Sequence, residues 1–169
     1  MISSFLSRVS FENELTVSER LIWAGQRLDP ESPLYNMALA FDIRGPIDVD
    51  AFREAFQQVV ASTDALRTIW ADDGGHPKRE VLDHVEARVE ILSLPEEALG
   101  DAQVDALLEE RTRRVLPLDQ PQFDSCLVER RPDRYIWYLN QHHLITDAWS
   151  VGVLYHRMGS LYEAATARR

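Results

Sequence analysis

The sequence predicts an α+β domain, a mixed β-sheet carrying packed helices in two layers. Three observations support that reading. Val49, Phe52, Phe56, Val59 and Val60 fall at helical spacing, and so do Val151, Leu154, Tyr155, Met158, Leu161, Tyr162 and Ala165. Between these two stripes lie several short runs rich in β-branched and aromatic residues. Turn residues, above all Asp73-Gly74-Gly75, separate those runs at short intervals.

Taken in order, Thr16 or Ser18 can cap a first helix in which Leu21, Ile22 and Trp23 supply apolar contacts, and Pro30 and Pro33 end it. Tyr35 to Ile43 alternates as a strand, closed by Arg-Gly-Pro. Asp48 can cap the next helix, with Asp50 well placed in its first turn. Ala65 to Trp70 reads as a strand, and Pro77 to Asp83 as its antiparallel return. Ala87 to Leu94 is a further strand. Asp101 to Leu116 is a helix with Val104, Leu107, Leu108 and Val115 on one face. Phe123 to Arg130 and Arg134 to His143 form two more strands about an Arg-Pro-Asp turn, and a last helix starts at Ala148.

At 169 residues the chain suits one domain, 1–169, with a core that needs no staples. Net charge is −10, so a broad nucleic-acid surface is not expected. The basic clusters Arg111 to Arg114, Arg130 to Arg134 and the terminal Arg168-Arg169 read as solvated helix ends and loops. A small docking patch for an acidic partner is the alternative. Cys126 is the only cysteine, which excludes an internal disulfide framework and suits a reducing cytoplasm. No apolar span reaches membrane length, and the first residues lack the long apolar centre of a secretory signal.

The chemistry-bearing stretch is Tyr135 to Ser150, YIWYLNQHHLITDAWS. Neighbouring side chains of a strand point to opposite faces, so His142 and His143 cannot both address one site. One is expected to be functional and the other structural. The same parity argues against a metal pair, and neither HExxH nor Cys/His spacing is present. A neutral imidazole at a strand end is a suitable general base. From the residues alone, a packed histidine and a capping Asp147 are the commoner outcomes. His76, His84 and His156 receive no role, and Cys126 reads as a buried thiol.

QHHLITDAWS resembles the HHxxxDG signature of nonribosomal peptide synthetase condensation domains, which share a chloramphenicol acetyltransferase-like fold. Leu15 to Ala38 resembles the family's opening motif, and Ser62 to Trp70 its arginine-containing motif, in the family's order. The resemblance implies amide formation between an acyl or peptidyl thioester and an acceptor amine. It implies no directly bound cofactor; both substrates ride on phosphopantetheine arms of carrier proteins. His143 matches the reaction-centre histidine. His142, Asp147 and Arg67 match supporting positions, with Arg67 implied to bridge to Asp147. Trp149 is expected to pack at the helix entry rather than to meet substrate.

Three departures stand out. Ala148 replaces the motif glycine, which matters if that position needs positive φ and is harmless if it opens the helix. Ser62, Thr63 and Asp64 stand where Arg, His and Glu are usual. The third is length: the chain matches only the amino-terminal lobe of a two-lobed domain. Its partners are therefore expected to be carrier proteins and a second lobe, not nucleic acid or membrane, with little condensation by this chain alone. A non-catalytic docking module for a carrier protein or partner lobe is the alternative, as is an epimerising or ester-forming relative.

Overall fold

The protein is described by a computed structural model covering residues 15–94 and 100–168. The residues before 15, including the stretch read above for a secretory signal, and Arg169 lie outside the described residues. The elements run α1 (Val17–Leu28), β1 (Asn36–Arg44), α2 (Val49–Ala61), β2 (Thr68–Asp73), β3 (His76–Val81), β4 (Glu90–Ser93), α3 (Asp101–Thr112), β5 (Phe123–Arg131), β6 (Arg134–His142) and α4 (Ala148–Thr166).

The caps are local chemistry. Thr16 and Glu19 form a reciprocal capping box at α1, the Glu19 amide donating to Thr16 Oγ1 (3.2 Å) and the Thr16 amide to Glu19 Oε2 (2.7 Å). The Asp48 carboxylate accepts from the Ala51 amide (2.9 Å) and starts α2. In the β2–β3 hairpin, Gly74 and Gly75 adopt φ of +63° and +89°, the left-handed pair that a two-residue hairpin loop requires.

Several boundaries differ from the sequence expectation; β4, for one, begins at Glu90 rather than Ala87. A 3-10 turn spans Asp64–Arg67, so β2 begins three residues later than the apolar run suggests. The Thr68 hydroxyl donates to the Asp64 carbonyl (2.8 Å) and the Leu66 amide to that of Thr63 (3.1 Å), closing the turn before the strand opens. The third helix ends at Thr112 rather than Leu116.

The main sheet has the order β1-β6-β5-β4, with β4 and β5 parallel and the other pairs antiparallel; β2 and β3 form a separate ribbon. The α+β class holds, but helices cover both faces of the sheet. On one face α2 and α4 meet Leu127, Trp137 and Leu139, whereas on the other Val104 and Leu108 of α3 meet Cys126, Val128 and Tyr138. The near-continuous apolar run of β6 is the pattern of a strand covered on both sides.

Trp137 is the hub of the larger core. Its ring meets Phe52 edge-on at 5.3 Å and Tyr155 at 4.8 Å, and its indole N–H donates to Ser125 Oγ at 3.0 Å. On the opposite face Arg111 is only 6% exposed, which corrects its reading as a solvated helix end. Its guanidinium grips the Asp124 carboxylate with two nitrogens and donates to Glu90 Oε2 at 2.6 Å. Burial opposes the charge on Arg111, but these carboxylates outweigh it and hold its pKa above the usual value.

Removing the hub leaves a cavity between α2, α4 and the sheet. Trp137→Ala should cost about 3–5 kcal/mol, read as a lower urea midpoint at unchanged m-value. A cost below about 1 kcal/mol would contradict the hub assignment.

Candidate functional site

The site is built where β6 runs out. The strand ends at His142, and His143 is the first residue of the following turn, not the last of the strand as its apolar context suggested. The turn is fastened on both sides. The His142 amide donates to the Gln122 carbonyl (3.0 Å), the His143 amide to that of Tyr35 (2.8 Å), and the Ile145 amide to that of His142 (3.0 Å). Leu144, Ile145 and Thr146 are buried, whereas His143 is exposed. Its outward aspect therefore comes from the turn; Gln141, Leu139 and Trp137, which strict strand alternation would put on its face, are all buried.

His142 is 1% exposed and fully bonded. Its Nδ1 accepts from the Leu144 amide (3.1 Å), which leaves the ring proton on Nε2, facing Gln26 Oε1 at 3.1 Å. Burial, reinforced by the neighbouring His143, lowers its pKa to about 4, so the ring stays neutral at neutral pH.

Asp147 caps α4. Its Oδ1 accepts from the Ser150 amide and hydroxyl, each at 2.7 Å, and these contacts hold its carboxyl below the usual carboxylate range, with His143 acting in the same direction. Ala148 is the first residue of α4, so its Cβ meets no backbone penalty.

The bridge implied between Arg67 and Asp147 is not formed. Arg67 instead pairs with Asp64 Oδ1 (2.6 Å) and donates to the carbonyls of Leu82 and Asp83. The 3-10 turn places Asp64 one turn before Arg67, and this local carboxylate captures the guanidinium. Arg67 thereby ties the turn to the end of β3. That turn and the start of α4 form opposite walls of a groove of about 470 Å³. Trp149, expected to pack, is 82% exposed and lines this groove with Val153.

Sequence reasoning missed Gln26. Only Trp23 and Gln26 are buried on α1, while Leu21, expected inside, is exposed. A glutamine three residues after the buried tryptophan, on the same helix face, was the available signal. Among the described residues, no group of three or more His, Cys, Asp or Glu side chains is arranged to hold a metal ion. No helix among them is long and apolar enough to cross a membrane. The arrangement offers one exposed imidazole on a rigid turn, able to accept a proton from, or orient, a nucleophile.

The buried ring also sets a pH dependence. Between the ordinary histidine value of 6.5 and about 4, the unfolded chain takes up a proton that folded His142 refuses. Its contribution is complete above pH 6.5 and is lost as pH falls through that window, at up to about 1.4 kcal/mol per pH unit. Urea titrations at several pH values should show this slope in the native chain and lose it in a folded His142→Asn variant.

Comparison with known proteins bears on the family and the fold. A family profile described as condensation domain matches residues 12–169. The chain is 33% identical over 156 residues to the probable nonribosomal peptide synthetase CymA of Salinispora arenicola, covering 92% of this chain and 2% of that protein. It is 31% identical over 154 residues to the isonitrile lipopeptide synthase of Streptomyces coeruleorubidus, covering 90% of this chain and 10% of that one. The chain thus spans a tenth or less of these relatives. Among solved structures, the starter condensation domain of rhizomide synthetase RzmA superposes with a TM-score of 0.84 at 26% identity, over 92% of this chain and 38% of that one. The first condensation domain of the calcium-dependent antibiotic synthetase, bound to a substrate analogue, gives a TM-score of 0.86 at 24% identity, over 93% and 38%. With the profile spanning nearly its whole length, the chain belongs to the condensation-domain family.

Proposed function

We propose that this chain is the histidine-bearing, amino-terminal lobe of a condensation domain, and that His143 serves amide formation between a carrier-bound acyl or peptidyl thioester and an acceptor amine. The observation that carries this reading is the exposed imidazole of His143, held at the strand end by backbone hydrogen bonds from both sides. The amine nitrogen attacks the thioester carbonyl, and His143 accepts the amine proton or orients the amine for attack. Attack forms the C–N bond of a tetrahedral intermediate; its collapse restores the C=O bond and breaks the C–S bond, and the proton given up by the amine goes to the leaving thiolate. Both substrates arrive on phosphopantetheine arms of carrier proteins, and a second lobe closes the site.

His142, Asp147 and Arg67 are structural supports in this reading. His142 anchors the turn, Asp147 fixes the start of α4, and Arg67 secures the facing wall through Asp64 rather than through Asp147. A second reading, a docking module without chemistry, draws support from the exposed Trp149 and Val153 beside the turn.

In a synthetase carrying this lobe with its second lobe, His143→Ala should lower amide formation by about 100-fold or more, followed by mass spectrometry of the carrier-bound product. Unchanged product would remove His143 from the chemistry and leave the docking reading. A double-mutant cycle on Arg67→Ala and Asp147→Ala should give a coupling indistinguishable from zero, because the two side chains have separate partners. Appreciable coupling in urea unfolding would restore the direct bridge.

A further inference from the structure

The carboxamide of Gln26 links three segments. Its Nε2 lies 3.2 Å from the Asp29 carbonyl, 3.2 Å from that of Pro30 and 3.0 Å from that of Ser32, so this end of the amide donates to the loop that follows α1. The carboxamide orientation is thereby fixed, and Oε1 is left to accept from His142 Nε2. The loop Gln26 organises leads into Tyr35, whose carbonyl receives the His143 amide at 2.8 Å. The adjacent Gly25 lets Tyr35 lie against α1: a Cβ there would stand 2.0 Å from the Tyr35 hydroxyl. One buried amide therefore touches both anchors of the turn, the His142 ring directly and Tyr35 through its loop.

We propose that Gln26 is a positioning residue for His143: it locks the His142 ring in its Nε2–H form and shapes the turn that presents the exposed imidazole. This rests on the reading of His143 as the reaction-centre residue. The chain of cause is stereochemical. With its proton on Nε2, the ring can accept from the Leu144 amide only at Nδ1, and that contact pins the backbone immediately after His143. A proton on Nδ1 would set two donors against each other there and release the turn. Around this ring the neighbouring titratable groups are His143 and Tyr35, whose ring centroid is 5.8 Å away.

Long-range proton–nitrogen NMR of the 15N-labelled chain tests the proposal. Native His142 should show the Nε2–H tautomer with no titration between pH 8 and about 5. In Gln26→Leu the ring should populate both tautomers, and exchange of the His143 and Leu144 amides should accelerate at least about tenfold. Gln26→Glu should keep an acceptor for Nε2–H while drawing a second proton to the ring, so His142 titrates at higher pH. In the two-lobed synthetase, Gln26→Leu should lower kcat about tenfold or more with KM changed less than about twofold. An Nδ1–H tautomer in the native chain overturns the proposal without any variant. So does a folded Gln26→Leu variant with native tautomer and exchange, or one whose turnover falls only with its folded fraction. His143→Ala retaining amide formation would instead refute the catalytic reading and leave the ring measurement standing.

Discussion

Burying an imidazole at the end of a central strand is costly unless both ring nitrogens find partners. His142 finds one partner on each side, an amide of its own turn and the carboxamide of a helix 116 residues earlier in sequence. The rest of the site depends on that arrangement. Once the ring is neutral and fixed, the chain can leave the buried layer within one residue and place His143 in solvent while Leu144 and Ile145 return to the core. Two adjacent histidines thus play opposite parts because one is enclosed and bonded and the other is not.

The remainder of the fold keeps this exit rigid. β6 is gripped by β1 and β5 along its length and covered on both faces, so its terminus has little freedom to drift. The aromatic cluster about Trp137 seats α2 and α4 together, and α4 begins five residues beyond the reaction-centre candidate. On the opposite face Arg111 balances Glu90 and Asp124 over a core that contains Cys126. Burial pushes that thiol up to about 12, so it is an unreactive packing group.

The acidic and basic residues of the motifs act locally rather than across the site. Asp147 spends its carboxylate on the first turn of α4, and Arg67 is captured by Asp64, which stands three residues before it. The two motifs still meet, but as facing walls of the groove beside Trp149 rather than through an ion pair. Rigidity there comes from the local cap and the Asp64 pair, and from the carbonyl contacts that carry Arg67 across to Leu82 and Asp83.

Much of this was legible in the sequence. Caps such as Thr16, Asp48 and Asp147, the glycine pair of the hairpin and the helical stripes each depend on neighbours within a few residues, and local chemistry is what a sequence displays. The family resemblance, and not spacing, pointed to His143, Asp147 and Arg67, and the Arg67–Asp147 bridge that it implied is not formed. The sequence did not reveal where β6 ends, since apolar residues continue past His143. It did not show that Arg111 is buried, that Trp149 is bare, or that Gln26 reaches His142. Those outcomes turn on which surfaces long-range packing covers and on which of several competing partners a charged or amide group meets first. Only the assembled sheet and helices decide such contests, because their energies belong to pairs of residues far apart along the chain.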